Sequence, residues 1–167
     1  MPGSGDDRHI RPFVPADIPR MHEIRKAAFA PVFASFRDIV GDKIAPVAFA
    51  GAEQEQADHL DRLCAEDSDA GVFVAVLAGE VVGFCAVTLD SKTRIGEIDL
   101  NAVAPGHQGK GLGALMYEHA ERMMKDAGMV VATVGTGGDQ SHEPARHAYE
   151  KAGFKAAIPS IYYYKSL

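Results

Sequence analysis

Residues 100–113 read LNAVAPGHQGKGLG, the most informative segment of the sequence for predicting the fold. It begins as an apolar strand, passes through a glycine-rich loop at Gln108–Gly113, and enters a helix that starts at Leu112. Glycines let backbone N–H groups turn toward one point, and the N-terminal end of a helix favours negative charge. The loop is therefore predicted to bind a phosphate or pyrophosphate, with Lys110 as an added positive charge. The alternative is a plain tight turn in which Lys110 is a solvated lysine.

Two common phosphate motifs fit this loop poorly. The Walker A pattern needs Ser or Thr after its Gly-Lys pair, but Gly111 follows Lys110. The dinucleotide fingerprint G-x-G-x-x-A matches Gly109, Gly111 and Ala114 on paper. Its context is wrong, because antiparallel strands precede the loop and no acidic residue ends the next strand. A dinucleotide-binding oxidoreductase is therefore disfavoured.

The chain around the loop alternates between strand and helix patterns. Residues 71–90 hold two β-branched and aromatic runs joined by a short turn at 78–80, and a second turn near 91–93 leads into a strand at Ile95–Val103. Short connections make consecutive strands antiparallel neighbours. The other predicted elements are a strand at Ile10–Phe13, a helix from an Asp17 cap to about Ala30, one or two helices within 31–70, a helix at Leu112–Ala127, a buried strand at Met129–Gly135, a helix capped by Ser141, and strands at Phe154–Ala157 and Ile161–Lys165.

These elements predict a single domain over residues 1–167, with a flexible tail at residues 1–8. The fold class is α/β, with a mixed, mostly antiparallel sheet of about six to seven strands and helices on both faces.

Composition narrows the function classes. The formal net charge of −6 argues against nucleic acid and favours a cationic ligand such as an amine. The polar N-terminus MPGSGDDRHI is no signal peptide and no apolar run is long enough to span a membrane, so a cytoplasmic protein without a membrane partner is expected. No metal site is expected, since His142 and His147 lie about 140° apart around one helix.

Two motifs together resemble the GNAT superfamily of N-acetyltransferases. The family's loop pattern is Gln or Arg, two residues, Gly, one residue, then Gly or Ala, and Gln108, Gly111 and Gly113 match its fixed positions. The strand LNAVAP before the loop looks like the family's own. Residues 145–154, ARHAYEKAGF, resemble its closing motif, in which a tyrosine precedes Lys-x-Gly-Phe.

The resemblance implies an acetyl-CoA-dependent N-acetyltransferase in which a central pair of parallel strands splays apart to form the CoA cleft. Pyrophosphate would lie on the backbones of Gln108, Gly109, Lys110, Gly111, Leu112 and Gly113. Pantetheine would pair with Ala102 and Val103. His142 stands where many members carry Asn, so its hydrogen bond to the pantetheine arm is an expectation and an exposed first-turn histidine is the alternative. Acetyl-CoA is a co-substrate, and no metal is implied.

Tyr149 occupies the position of the family's general acid. The reaction is direct attack of a neutral amine on the thioester, after which the CoA thiolate takes a proton. A phenol can supply that proton, because its ordinary pKa of about 10 exceeds that of a thiol. The alternative is a core tyrosine on an apolar helix face.

The strand Ile95–Val103 supplies the predicted base. Glu97, Asp99 and Asn101 alternate with apolar residues, so one face carries two carboxylates and an amide. Glu97 also matches the glutamate that histone-acetylating members use as a base. The prediction is that Glu97 deprotonates the ammonium while Asp99 and Asn101 contact the acceptor. The alternative is a solvated sheet face.

The expected acceptor is a primary amine of a small molecule or peptide, and its identity is not readable because residues 14–70, which would select it, carry no legible motif. A homodimer is possible. The main rival class is a non-catalytic CoA-binding module that acts as a sensor or interaction platform.

Overall fold

The computed structural model describes residues 7–167, and its centre is a five-stranded sheet in the order β1-β2-β3-β4-β5. Each neighbouring pair is antiparallel except β4 and β5, which are parallel. The hairpin predicted at residues 78–80 is confirmed, with Ala78 and Gly79 both at positive φ. The strands are β1 (Arg8–Pro12), β2 (Gly71–Leu77), β3 (Glu80–Asp90), β4 (Ile95–Val103) and β5 (Val131–Val134).

Helices cover both faces of this sheet, as predicted. Successive residues of β2 alternate between two cores, since Phe73 and Ala75 belong to one and Val74 to the other. The core on one face is closed by α1 and α3, and the core on the opposite face by α4 and α5. The helices are α1 (Ile18–Val40), α2 (Ala45–Ala48), α3 (Ala52–Leu63), α4 (Leu112–Asp126) and α5 (Glu143–Lys151). Among residues 7–167, none of the helices combines the length and apolar character that crossing a bilayer requires.

The N-terminal third differs from the sequence prediction in three places. The expected tail at 1–8 is wrong at Arg8, which opens β1, and residues 1–6 lie outside the described part of the chain. Helix α1 does not stop near Ala30 but runs through Pro31 to Val40. Asp17 does not cap α1 with its side chain. Its carboxylate instead accepts hydrogen bonds from the Arg11 guanidinium, at 2.7 and 3.0 Å, and from the Val14 backbone N–H at 2.9 Å.

The C-terminal third also departs from prediction. Strand β5 is shorter than Met129–Gly135 and half exposed because it forms the sheet edge. Asp139, rather than Ser141, caps the turn before α5, accepting a hydrogen bond from the Ser141 backbone N–H. Residues 152–167 form no strand, so the strands predicted at 154–157 and 161–165 are absent and the sheet has five strands instead of six to seven.

Candidate active site

The parallel strands β4 and β5 are paired along only the first part of β4. Pairing runs from Ile95–Val131 to Ile98–Val134 and stops there, while β4 continues to Val103. Strand β5 ends at Val134 and lies at the edge of the sheet, so the splay of a central parallel pair that the resemblance implies stays a prediction. On that side, the last residues of β4 have no strand partner in the described part of the chain; Ala102 there is buried and Val103 is half-buried. The Val103 carbonyl accepts a hydrogen bond from the Gln108 side-chain amide at 3.3 Å, which ties the end of the strand to the glycine loop.

A β-bulge in β4 divides the polar residues between the two sheet faces. Cys85 lies opposite Asn101, whereas Val87 lies opposite Ile98, so β4 carries one extra residue between these pairs. Ile98 accordingly packs in the core beneath α4, and Leu100 packs in the core beneath α1 and α3. The prediction that Glu97, Asp99 and Asn101 share one face is wrong, because the extra residue reverses the alternation after Asp99.

Asn101 points to the α4 and α5 side of the sheet, where it joins two tyrosines. Its side-chain N–H donates to the Tyr149 hydroxyl oxygen at 3.0 Å, and its carbonyl accepts from the Tyr117 hydroxyl at 3.2 Å. The two tyrosine rings lie 5.1 Å apart between centroids. Both side chains are buried, Tyr149 with 8% of its surface exposed. The phenol of Tyr149 is thus held beside the part of β4 that extends past its pairing with β5.

The surroundings of Tyr149 keep it protonated. Burial raises the pKa of its phenol, and this outweighs the opposite effect of the hydrogen bonds with Asn101 and Tyr117. The pKa of Tyr117 is raised as well, mainly by burial and then by the neighbouring Tyr149. A neutral phenol with a raised pKa can donate a proton to a thiolate near neutral pH. The chemistry that the resemblance implies for Tyr149 is therefore compatible with its environment.

The opposite face of β4 carries the carboxylates. Asp99 accepts a hydrogen bond from His59 of α3, with 2.7 Å between its Oδ1 and the ring Nε2. Glu97 is exposed, opposite Thr88 of β3 and Thr133 of β5, where the β4–β5 ladder is still closed. Sequence reasoning missed His59, because its contact with Asp99 joins residues 40 apart in the chain and has no local pattern.

The glycine loop has the backbone that its sequence predicts. Gly109 and Gly111 adopt φ values of 75° and 77°, in the left-handed region that favours glycine. Gly111 is the residue from which α4 starts, so the first free N–H groups of that helix adjoin the loop. Leu112, the first residue of α4, is buried in the core and so fixes the end of the loop to the sheet. A methyl group at Gly113 would meet only ordinary contacts, the nearest being Tyr117 Cε2 at 3.7 Å.

Two cationic side chains lie at this loop, one within it and one beside it. Lys110 is exposed within it, and Arg8 of β1 donates a hydrogen bond from its guanidinium to the Lys110 carbonyl. A methyl group at Gly111 would lie 3.2 Å from Arg8 Nη1, which places the guanidinium directly beside the loop. Sequence reasoning missed Arg8 because it assigned that residue to a flexible tail.

His142 belongs to a cluster centred on Asp139 that ties the loop after β5 to α1. The Asp139 carboxylate binds His142 Nδ1 at 2.5 Å and accepts hydrogen bonds from Ser141 and, at 2.8 Å, from Ser35 of α1. Burial alone would raise the pKa of Asp139, but these hydrogen bonds outweigh it and hold the pKa well below its usual range. The His142 ring also stacks on Phe36 of α1, with centroids 5.6 Å apart.

The sequence profile of the acetyltransferase (GNAT) family matches residues 34–154, most of the chain. The protein belongs to the GNAT acetyltransferase family. Over 104 residues it is 36% identical to the streptothricin acetyltransferase of Streptomyces lavendulae, a match that covers 59% of this chain and 51% of that protein. The chain thus spans about half the length of this curated relative.

Solved structures share the fold of this GNAT protein at low sequence identity. The PaiA N-acetyltransferase of Thermoplasma acidophilum, in complex with coenzyme A, superposes with a TM-score of 0.69 at 15% identity, covering 92% of this chain and 93% of that one. A GNAT acetyltransferase of Brucella melitensis, in complex with acetyl-CoA, gives a TM-score of 0.62 at 24% identity, covering 91% and 85%.

Proposed function

We propose that this GNAT protein transfers the acetyl group of acetyl-CoA to a primary amine of a small molecule or peptide. The observation that carries the proposal is the position of Tyr149, a buried phenol held by Asn101 beside the part of β4 that extends past its pairing with β5. The glycine loop follows β4, so one strand links a phosphate-binding segment to a proton donor.

Acetyl-CoA is proposed to lie along this strand. The backbones of residues 108–113 would hold the pyrophosphate at the start of α4, with Lys110 and Arg8 supplying positive charge. The pantetheine arm would lie beside Ala102 and Val103. Because the Asp139 carboxylate lies 2.5 Å from His142 Nδ1, Nε2 is the ring nitrogen that would contact an amide of the pantetheine arm. Residues 7–167 are proposed to act together as one catalytic domain.

The proposed reaction uses both faces of β4. The neutral amine attacks the thioester carbonyl, a C–N bond forms, and the C–S bond breaks. Tyr149 donates its proton to the departing thiolate, and the excess proton of the amine goes to a base on the other face. The acid and the base would then approach the thioester carbonyl from opposite faces of β4.

Glu97 is the proposed base, and Asp99 the carboxylate that attracts the ammonium. Asp99 also holds His59 at 2.7 Å, so the imidazole is a second proton acceptor within the same group. Asn101 was predicted to contact the acceptor. Its hydrogen bonds to Tyr149 and Tyr117 instead support a role in positioning the acid.

The acceptor side is proposed to lie between α1, α2 and the carboxylates. Phe36 of α1 packs against Phe49 with centroids 5.6 Å apart, and Phe49 packs against Tyr164 at 5.9 Å. Aromatic faces suit a cationic amine. The name of the Streptomyces relative makes streptothricin-like amines the first compounds to test. A homodimer stays part of the proposal, because the residues after Phe154 are left exposed.

The test is release of CoA thiol when acetyl-CoA is mixed with a panel of amines. Turnover that depends on an amine, and that falls strongly in Tyr149→Phe, supports the enzyme. Tight acetyl-CoA binding without turnover for any amine would instead favour the non-catalytic CoA-binding module.

A further inference from the structure

The Asp139 cluster joins two parts of the molecule that the proposed function uses separately. It consists of Asp139, Ser141 and His142 from the segment between β5 and α5, together with Ser35 from α1. Asp139 and His142 are largely shielded from solvent, with 12% and 15% of their side chains exposed. Their segment leads directly into α5, the helix of Tyr149, whereas α1 lies on the proposed acceptor side.

Hydrogen bonds in this cluster decide which nitrogen of the His142 ring can face a ligand. Asp139 Oδ1 lies 2.5 Å from the ring Nδ1, and Asp139 Oδ2 accepts a hydrogen bond from Ser35 Oγ at 2.8 Å. A carboxylate only accepts hydrogen bonds, so Nδ1 is the donor in this contact and Nε2 is the nitrogen turned away from the carboxylate. Ser35 thereby acts on the imidazole through Asp139.

The plane of the His142 ring is also set from α1. Phe36 stacks on the imidazole, with ring centroids 5.6 Å apart and planes 29° apart. Helix α5 holds the preceding loop in a different way, because Arg146 donates hydrogen bonds to the backbone carbonyls of Gly137 and Asp139, at 2.8 and 2.7 Å. The loop backbone is therefore fixed by α5, whereas the orientation of the ring depends on α1.

We propose that Ser35 and Phe36 are positioning residues for acetyl-CoA binding, which hold the His142 ring so that Nε2 meets the pantetheine arm. This inference rests on the contact between His142 and that arm in the proposed function. Phe36 also packs against Phe49, with centroids 5.6 Å apart, in the aromatic surface assigned to the acceptor. Binding of the pantetheine arm is thus coupled to α1, and acetyl-CoA orders the acceptor side before the amine binds.

Two ligands separate the pantetheine contact from the phosphate contacts. CoA has both, whereas adenosine 3′-phosphate 5′-diphosphate has the pyrophosphate and lacks the pantetheine arm. In calorimetric titrations, Ser35→Ala should weaken CoA binding about three- to tenfold, the range for loss of one hydrogen bond. Binding of the shorter ligand should stay unchanged, which also shows that the variant is folded. Ser35→Thr keeps the hydroxyl and should restore the affinity for CoA.

Other variants test whether the effect passes through His142. Phe36→Leu removes the stacked ring, keeps an apolar side chain, and should also weaken the binding of CoA alone. His142→Ala should weaken CoA binding, and adding Ser35→Ala to it should cause little further loss, because Ser35 acts through the imidazole.

Glu53→Gln is the matched control for a general loosening of α1. Glu53 accepts hydrogen bonds from Arg37 of α1, at 2.6 and 2.7 Å, in a contact that does not include His142. This variant should bind both ligands as the wild type does. A loss of CoA affinity in Glu53→Gln as large as that in Ser35→Ala would show that α1 acts only through its overall stability, and would overturn the inference.

Hydrogen exchange of residues 32–40, the second half of α1, measures the coupling directly. CoA should slow exchange of these amides in the wild type but not in Ser35→Ala, and adenosine 3′-phosphate 5′-diphosphate should slow it in neither. Unchanged CoA affinity in Ser35→Ala, equal losses for the two ligands, or equal protection by both would overturn the inference and leave the proposed acetyl transfer intact. Absence of CoA binding to the folded wild-type chain would overturn both.

Discussion

Asn101 donates a hydrogen bond to the hydroxyl oxygen of Tyr149 at 3.0 Å, from a strand position that a β-bulge has turned toward α5. Without the extra residue in β4, Asn101 would face the same side as Glu97 and Asp99. The bulge therefore does two things at once. It places the Asn101 amide against the Tyr149 hydroxyl, and it leaves Glu97 and Asp99 on the opposite face.

Removing the Tyr149 hydroxyl should mainly slow the chemical step. We expect Tyr149→Phe to lower kcat by about 10²–10⁴-fold with little change in the KM for acetyl-CoA, because a positioned acid contributes about that much. Tyr117→Phe is the matched control, since it removes the other hydroxyl bonded to Asn101 and should cost far less. Equal losses in the two variants would argue that the pair is only structural.

The pH dependence follows from the direction of the Tyr149 pKa. The protonated phenol is the active form, and burial raises its pKa above the ordinary value of 10.0. Activity that depends on this proton should persist through pH 10 and fall only above it. The kcat–pH profile measured to the alkaline limit of stability checks this. An alkaline loss in wild type that is unchanged in Tyr149→Phe would assign it to another group.

The base can be tested by comparing two amide substitutions. Glu97→Gln and His59→Gln each keep hydrogen-bonding capacity and remove a proton acceptor. We expect Glu97→Gln to lower kcat about 10²-fold or more and to change the pH–rate profile, with a smaller effect of His59→Gln. A normal profile in Glu97→Gln together with a large loss in His59→Gln would transfer the role to the imidazole held by Asp99.

Alanine substitutions at two glycines of the loop should distinguish an effect on folding from an effect on ligand binding. Ala at position 111 must adopt a φ near 77°, which costs about 1–2 kcal/mol, so Gly111→Ala should lower the thermal midpoint. Gly113→Ala meets no close contact in the protein and should fold normally. If pyrophosphate approaches the backbone there, Gly113→Ala should still raise the KM for acetyl-CoA severalfold. An unchanged KM would place the phosphates elsewhere.

The Asp139 cluster should contribute stability that depends on pH. A carboxyl group with a lowered folded-state pKa stabilises the fold above its ordinary value of 3.8, and this contribution is lost as pH falls toward the lower folded-state pKa. Asp139→Asn should cost about 1–3 kcal/mol in urea unfolding near neutral pH, with a difference from wild type that shrinks below about pH 4. Asp126→Asn, at an exposed carboxylate, should change little. A difference independent of pH would contradict this account.

Much of the site could be read from sequence because its signals are local. The glycines of the loop, the hairpin at Ala78 and Gly79, and the tyrosine of α5 each depend on neighbouring residues. Period-two alternation along β4 also predicted a polar row correctly up to Asp99. It failed at Asn101, because a bulge is set by pairing with β3 and leaves no mark on β4 alone.

The remaining errors involve contacts between distant segments. Arg8 reaches Lys110, and His59 reaches Asp99, across stretches that no local pattern connects. The run at residues 161–165 reads as a strand, yet a strand requires a partner edge, and the described chain brings none to it. The sequence shows the strand propensity of these residues, but it does not show whether another strand pairs with them.

Calorimetric titration of the purified full chain with acetyl-CoA, with NADH as the comparison ligand, measures whether the protein binds the proposed co-substrate. We predict tight acetyl-CoA binding that weakens strongly in Gly111→Asp, which adds a negative charge where pyrophosphate would lie, and no response to NADH. Absence of acetyl-CoA binding to the folded wild-type chain would show that the loop is a turn without a role in binding, and would contradict the proposed acetyl transfer.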